Sequence, residues 1–149
     1  MRLGELFEAH RRIALDSNVL IYLLEANEPI ASIARALVDG IEEGRTRAVL
    51  SVVGLAEVLT GPARTRDLGR LERYDAEIRA IDGLRVHPFQ PEVAGDVAVI
   101  RGMRGIPLPD AIHLASARAA GATAFVTNDR RLRGSKLLEV VYLDDLVLD

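Results

Sequence analysis

Short aliphatic and β-branched runs alternate with stretches of helical periodicity along all 149 residues, and this alternation constrains the chain more than any other feature. The runs begin at Ile13, at Arg47–Val53, at Leu84–Pro88, at Ala124–Thr127 and at Leu138–Leu143. Between them lie amphipathic segments. Behind Pro29, the residues Ile30, Ile33, Ala34, Leu37, Val38 and Ile41 share one helical face, and Gly44 closes the segment. Leu71, Tyr74, Ile78 and Ile81 do the same after the polar loop ARTRD. Strands separated by helices pair in parallel through right-handed crossovers that cover both faces of the sheet. The expected fold class is therefore α/β, a three-layer α/β/α arrangement around a central, mostly parallel five-stranded sheet with the first strand central. Further helices are expected over Val53–Thr60, stopped by Gly61 and Pro62, from Pro91 to Arg101, and over Asp110–Ala120 after the connector GMRGIPLP. No repeat or linker divides the chain. One domain over 1–149 is expected, with residues 1–12 as an N-terminal helical extension.

Chemistry enters at Ile13–Leu24, IALDSNVLIYLL, where a strand meets Asp16 and turns at once into a helix that Ser17 or Asn18 could cap. Asp16 thereby falls at the carboxyl end of a strand, the edge at which open α/β sheets bind ligands. Asp129, in VTND, follows a later strand in the same way. Asp110 opens a helix behind Pro109, and Glu57 sits within GLAEVL, with Gly54 and Gly61 on its own helical face so that little bulk crowds it. Each acid has a plainer reading. Asp16 and Asp129 could cap turns, Asp110 could complement a helix dipole, and Glu57 could face solvent. Taken together on one sheet edge, the four could form a ring. Crowded carboxylates stay ionised only beside cations, and Mg²⁺ or Mn²⁺ suits an all-oxygen donor set. The reaction such a site serves is phosphodiester hydrolysis. His10, His87 and His113 are scattered, His113 reads as a packing or surface residue, and no ligand set for zinc is present.

Composition narrows the class further. The formal net charge of -3 excludes a uniformly basic surface, and three Phe, three Tyr and no Trp leave little for base-stacking platforms. Absence of Cys fits a reducing compartment. The longest apolar run, Val19–Leu24, is far too short for a membrane span, and Met1–Arg12 carries charges where a signal peptide has its apolar centre. A cytoplasmic protein with no membrane partner is expected. All the basic residues but Lys136 are Arg, most of which reflects coding bias. Arg101 and Arg104 before Asp110, and Arg130, Arg131 and Arg133 after Asp129, flank the acids and could contact the phosphates of a substrate.

Four segments, LDSNVLIYLLE ending at Glu25, SVVGLAEVL at Ser51–Leu59, LPDAIHLASA at Leu108–Ala117 and FVTNDRRL at Phe125–Leu132, occur in the order found in PIN-domain ribonucleases of the VapC type. The chain resembles these toxins of toxin–antitoxin pairs. The resemblance implies a Mg²⁺- or Mn²⁺-dependent endoribonuclease and carries the family's acidic positions onto Asp16, Glu57, Asp110 and Asp129, with Asp16, Asp110 and Asp129 as metal ligands. It makes Asn18 and Thr127 polar supports, and implies an RNA substrate, a cognate antitoxin and a homodimer. The residues before Ile13 depart from the family's usual start. Two other readings compete. A non-catalytic PIN-fold module binding RNA or protein would be expected to lack some of the acids. An aspartyl-nucleophile phosphatase would place a second acid two residues after the first, where this chain has Asn18.

Overall fold

The computed structural model describes residues 1–132 and 136–149. In chain order these form α1 (Leu3–Ala9), β1 (Arg12–Leu15), α2 (Ser17–Leu24), α3 (Ile30–Glu42), β2 (Arg47–Ser51), α4 (Val52–Arg64), α5 (Leu68–Arg79) and β3 (Leu84–His87). There follow α6 (Ala94–Arg104), α7 (Leu108–Ala119), β4 (Ala124–Thr127) and β5 (Glu139–Tyr142). The sheet runs β3-β2-β1-β4-β5, with every pairing parallel and β1 in the middle. From β1 the chain winds outward first through β2 and β3, then through β4 and β5. The switch in winding falls beside β1, so the crevice that this topology opens lies at the carboxyl ends of β1 and β4.

Period-two alternation divides the core between the two faces of the sheet. Ile13, Leu15, Ala48, Leu50, Ala124 and Val126 pack on the side of α1 to α5, while Ala14, Val49 and Phe125 pack against α6 and α7. Among the described residues, no helix is long and apolar enough to cross a membrane.

The N-terminal extension belongs to the core. Leu3, Leu6 and Phe7 are buried, Leu3 N–H donates to the Val147 carbonyl at 2.9 Å, and Val147 N–H donates back to Met1 at 3.0 Å. The Phe7 ring lies where a Cβ at position 40 would be, so Gly40 in α3 is what lets the ring approach.

Element boundaries differ from expectation most clearly at β2, α4, α6 and α7. β2 ends at Ser51, two residues early, because Ser51 already caps α4 by accepting from Gly54 N–H. α4 passes through Gly61 and Pro62 to Arg64. Pro62 removes only its own N–H, and the helix ends instead where Arg66 turns left-handed at φ 56° and Asp67 N–H closes onto the Pro62 carbonyl at 2.9 Å. α6 likewise absorbs Gly102 and stops at Gly105, with φ 67°. α7 starts at Leu108, which puts Asp110 in its first turn.

Candidate metal centre at the carboxyl edge

The last residue of β1 hands the chain to Asp16, whose extended backbone makes it the N-cap of α2. The capping residue is thus Asp16 itself, ahead of the expected Ser17 or Asn18. Its carboxylate is held at both oxygens. Oδ1 accepts from Ser17 N–H at 2.7 Å and Ser17 Oγ at 3.3 Å, and Oδ2 accepts from Thr127 Oγ at 2.6 Å and Asn18 Nδ2 at 3.3 Å. Thr127 closes β4 with no exposed surface, and its hydroxyl also accepts from Asp129 N–H at 2.9 Å. One hydroxyl therefore ties the acids after β1 and β4 together. This is possible because β1 and β4 pair in register, Leu15 against Val126.

Asp110 enters from the first turn of α7. Burial raises its pKa above the usual carboxylate range, and the charges of Asp16 and Asp129 add to the effect, outweighing His113 and Arg131. Asp129 is displaced the other way, its pKa lowered by hydrogen bonds from Arg131. The Arg131 guanidinium grips both Asp129 oxygens at 2.6 to 3.0 Å and reaches Asp110 Oδ2 at 3.8 Å. Within this structure, Arg131 is thus the cation between two of the acids.

Glu57 projects from α4, its side chain 41% exposed, and is anchored from beneath by His113. His113 Nε2 lies 2.6 Å from Glu57 Oε1, and Nδ1 lies 2.6 Å from Ser51 Oγ. With neutral imidazole, Nε2–H donates to Glu57 and Nδ1 accepts from the Ser51 hydroxyl, whose oxygen still accepts from Gly54 N–H at 3.0 Å. Burial by itself would lower the His113 pKa. The hydrogen bond to Glu57 and the charges of Asp16, Glu57 and Asp110 outweigh it, so the pKa is raised. One carboxylate oxygen each from Asp16 and Glu57 and a ring nitrogen of His113 lie within 4.8 Å of one another. Since both His113 nitrogens are engaged by protein groups, the ring serves here to hold Glu57. Gly54 contributes differently from the sequence expectation. A Cβ there would come 2.8 Å from Leu50 and 3.5 Å from the His113 ring, whereas one at Gly61 would meet nothing within 4 Å. The space Gly54 leaves is used by His113 and Leu50.

The four acids identified in the sequence thus lie at the carboxyl edge, carried by the segments after β1, β2 and β4 and by the start of α7. The arginines fare unevenly. Arg131 is committed to Asp129 and Asp110, and Arg130 to Asp144, Asp145 and the face of Tyr142. Arg101 and Arg104 are exposed in the last turn of α6, Arg101 donating to the Ile106 carbonyl at 3.3 Å. Arg133 lies outside the described residues. Sequence reading missed the Ser51–His113–Glu57 chain. His113 read as a packing or surface residue, and only the fold joins positions 51, 57 and 113.

The donor set suits a hard divalent cation. It is all oxygen where it is free, it includes an acid whose charge is disfavoured by its neighbours, and Asn18 Oδ1 beside Asp16 is buried with no partner among the described residues.

Residues 13–135 match the PIN domain family. Ribonuclease VapC7 of Mycobacterium tuberculosis is 31% identical over 131 residues, an alignment covering 78% of this chain and 81% of that protein. Among solved structures, VapBC2 from Rickettsia felis bound to a promoter DNA fragment is similar with a TM-score of 0.70 at 15% identity, covering 88% of this chain and 98% of that one. A toxin–antitoxin complex from Klebsiella pneumoniae gives a TM-score of 0.64 at 22% identity, covering 88% and 97%.

Proposed function

The chain belongs to the PIN-domain family, and from that premise we propose that it is a Mg²⁺- or Mn²⁺-dependent endoribonuclease, the toxin of a toxin–antitoxin pair. The observation that carries the reading is that Asp16 and Glu57 bring carboxylate oxygens within 4.8 Å of one another at the switch point of a parallel sheet, while Asp110 is destabilised as an anion by burial and by the charges of Asp16 and Asp129. Asp16, Asp110 and Asp129 would hold the metal. When bound, the ion supplies charge neutralisation for a phosphodiester and a water of lowered pKa.

The residues themselves have separable tasks. Thr127, Ser17 and Asn18 fix the orientation of Asp16 through its two oxygens. Glu57, held at Oε1 by His113, keeps Oε2 without a protein partner among the described residues, available to orient a water or accept its proton. Asn18 Oδ1 offers a further acceptor at the same place. Arg131, paired with Asp129 and near Asp110, stabilises the acids while the metal is away and must yield part of that role when it binds. A cognate antitoxin that covers this edge and a homodimeric toxin belong to the same proposal, by extension from relatives solved as toxin–antitoxin complexes.

The test is cleavage of single-stranded and structured RNA by purified protein with Mg²⁺ or Mn²⁺. We expect cleavage that EDTA abolishes and that Asp16→Asn or Asp110→Asn removes with the circular dichroism spectrum unchanged. Undiminished cleavage in EDTA, or by both variants, would overturn the reading.

A further inference from the structure

On the opposite edge of the sheet, where the strands begin, lies a second polar feature of contrary sign. Two adjoining clefts of about 440 and 450 Å³ share Arg12 and Arg47 in their walls. Arg85 and His87 line the first and Arg11 lines the second, and no carboxylate lines either. The register explains the clustering. Arg12 pairs with Arg47, Val49 with Arg85 and Ser51 with His87, so alternation sends all four side chains to the face of the sheet that α7 covers. α7 ends at Ala119, and the face of edge strand β3 beyond it is left open.

Arg12 has a structural task, donating to the Ala120 carbonyl at the C-terminus of α7. Arg11, Arg47 and Arg85 form no ion pair among the described residues, although the chain carries more acids than bases. Cations directly opposite one another on neighbouring strands repel, and that cost is recovered only by a counter-anion. His87, the last residue of β3 and opposite Ser51, closes the far end of the first cleft. The guanidinium groups of Arg11, Arg47 and Arg85 are a donor set for phosphate oxygens.

We propose that this furrow binds the phosphate backbone of the RNA substrate at a distance from the scissile bond, an inference that rests on the ribonuclease reading above. Crossing β3, β2, β1 and β4, the furrow is about 14 Å long at ordinary strand spacing, enough for more than one phosphate of a single strand. Asp110 and the furrow lie at the two ends of α7, about 15 Å apart along its axis, so one RNA chain reaches both. The furrow also answers an electrostatic need, because a polyanion approaching an acidic edge on a protein of charge -3 gains its attraction elsewhere.

The experiment measures affinity of the full chain for a long single-stranded RNA in EDTA across a salt series. It compares wild type, Arg47→Gln/Arg85→Gln and the charge-retaining Arg47→Lys/Arg85→Lys. Both residues are exposed, and equal thermal melts verify that the variants fold. The glutamine pair is expected to bind about tenfold more weakly and to lose about 1.4 from the slope of log affinity against log salt, the share of two single-strand phosphates, while the lysine pair keeps most of the slope. Identical affinity and slope in all three proteins overturns the inference and leaves the ribonuclease reading intact. Wild type that binds RNA through these arginines yet cleaves none with Mn²⁺ supports the furrow and removes the catalytic reading. Loss of duplex DNA binding in the glutamine pair with RNA binding unchanged assigns the furrow to DNA and also overturns the inference.

Discussion

Thr127→Val isolates the hydroxyl that joins two of the acids. Valine keeps the shape of threonine, so no cavity opens at a position with no exposed surface. Two hydrogen bonds are lost. Asp16 Oδ2 loses its 2.6 Å donor and retains only Asn18 Nδ2 at 3.3 Å, and Asp129 N–H loses its 2.9 Å acceptor. A hydrogen bond to a charged acceptor contributes about 1.5 to 3 kcal/mol. The half-buried Asp129 N–H adds about 1 kcal/mol at the low end of the cost for a stranded donor. The expected destabilisation is about 3 kcal/mol, which for a chain of this size is a fall in Tm of about 10 °C. The assay is urea and thermal unfolding in EDTA at neutral pH, with Thr127→Ser as control. Serine keeps the hydroxyl and loses one methyl, about 1 kcal/mol. A valine variant within about 0.5 kcal/mol of wild type, or a serine variant as unstable as the valine one, would refute the argument and reduce Thr127 to a packing residue.

Asp110→Asn should leave the metal-free protein at least as stable as wild type near neutral pH. Because its folded pKa is raised, the stability that Asp110 contributes is complete below the unfolded carboxylate pKa and is lost as pH rises through the folded value. The advantage of the Asn variant in EDTA should therefore grow across that window, and a difference flat with pH would contradict it. His113, with a raised pKa, follows the same sign, so His113→Gln should cost more at mildly acidic than at alkaline pH. Paired denaturation series at the two pH values decide, and an equal cost at both would mean that the ring acts only by packing. Gly40→Ala should destabilise by about 1 to 3 kcal/mol, despite alanine's better helix propensity, because the new methyl meets the Phe7 ring; a gain in Tm would show that α1 is not held there.

The alternation of strands and helices, the central position of β1 and the placing of acids after β1 and β4 were legible in the sequence. Each rests on a local signal, whether period-two burial, helical spacing or an acid at a strand end, and these signals survive without knowing which elements touch. Where several local signals compete the reading slipped, as at Pro62 and Gly102, because neighbouring turns outweighed single-residue propensity. What the tertiary structure alone decided is which side chains meet. His113 found Ser51 and Glu57 only because α7 crosses the ends of β2 and α4. Arg131 turned back onto Asp129 and Asp110 while its side chain stayed exposed. Arg12, Arg47 and Arg85 became one furrow through a register that no run of sequence displays. A local pattern fixes the direction of a side chain relative to its own backbone, whereas its partner depends on strand order and register, which are set by long-range packing of the whole sheet.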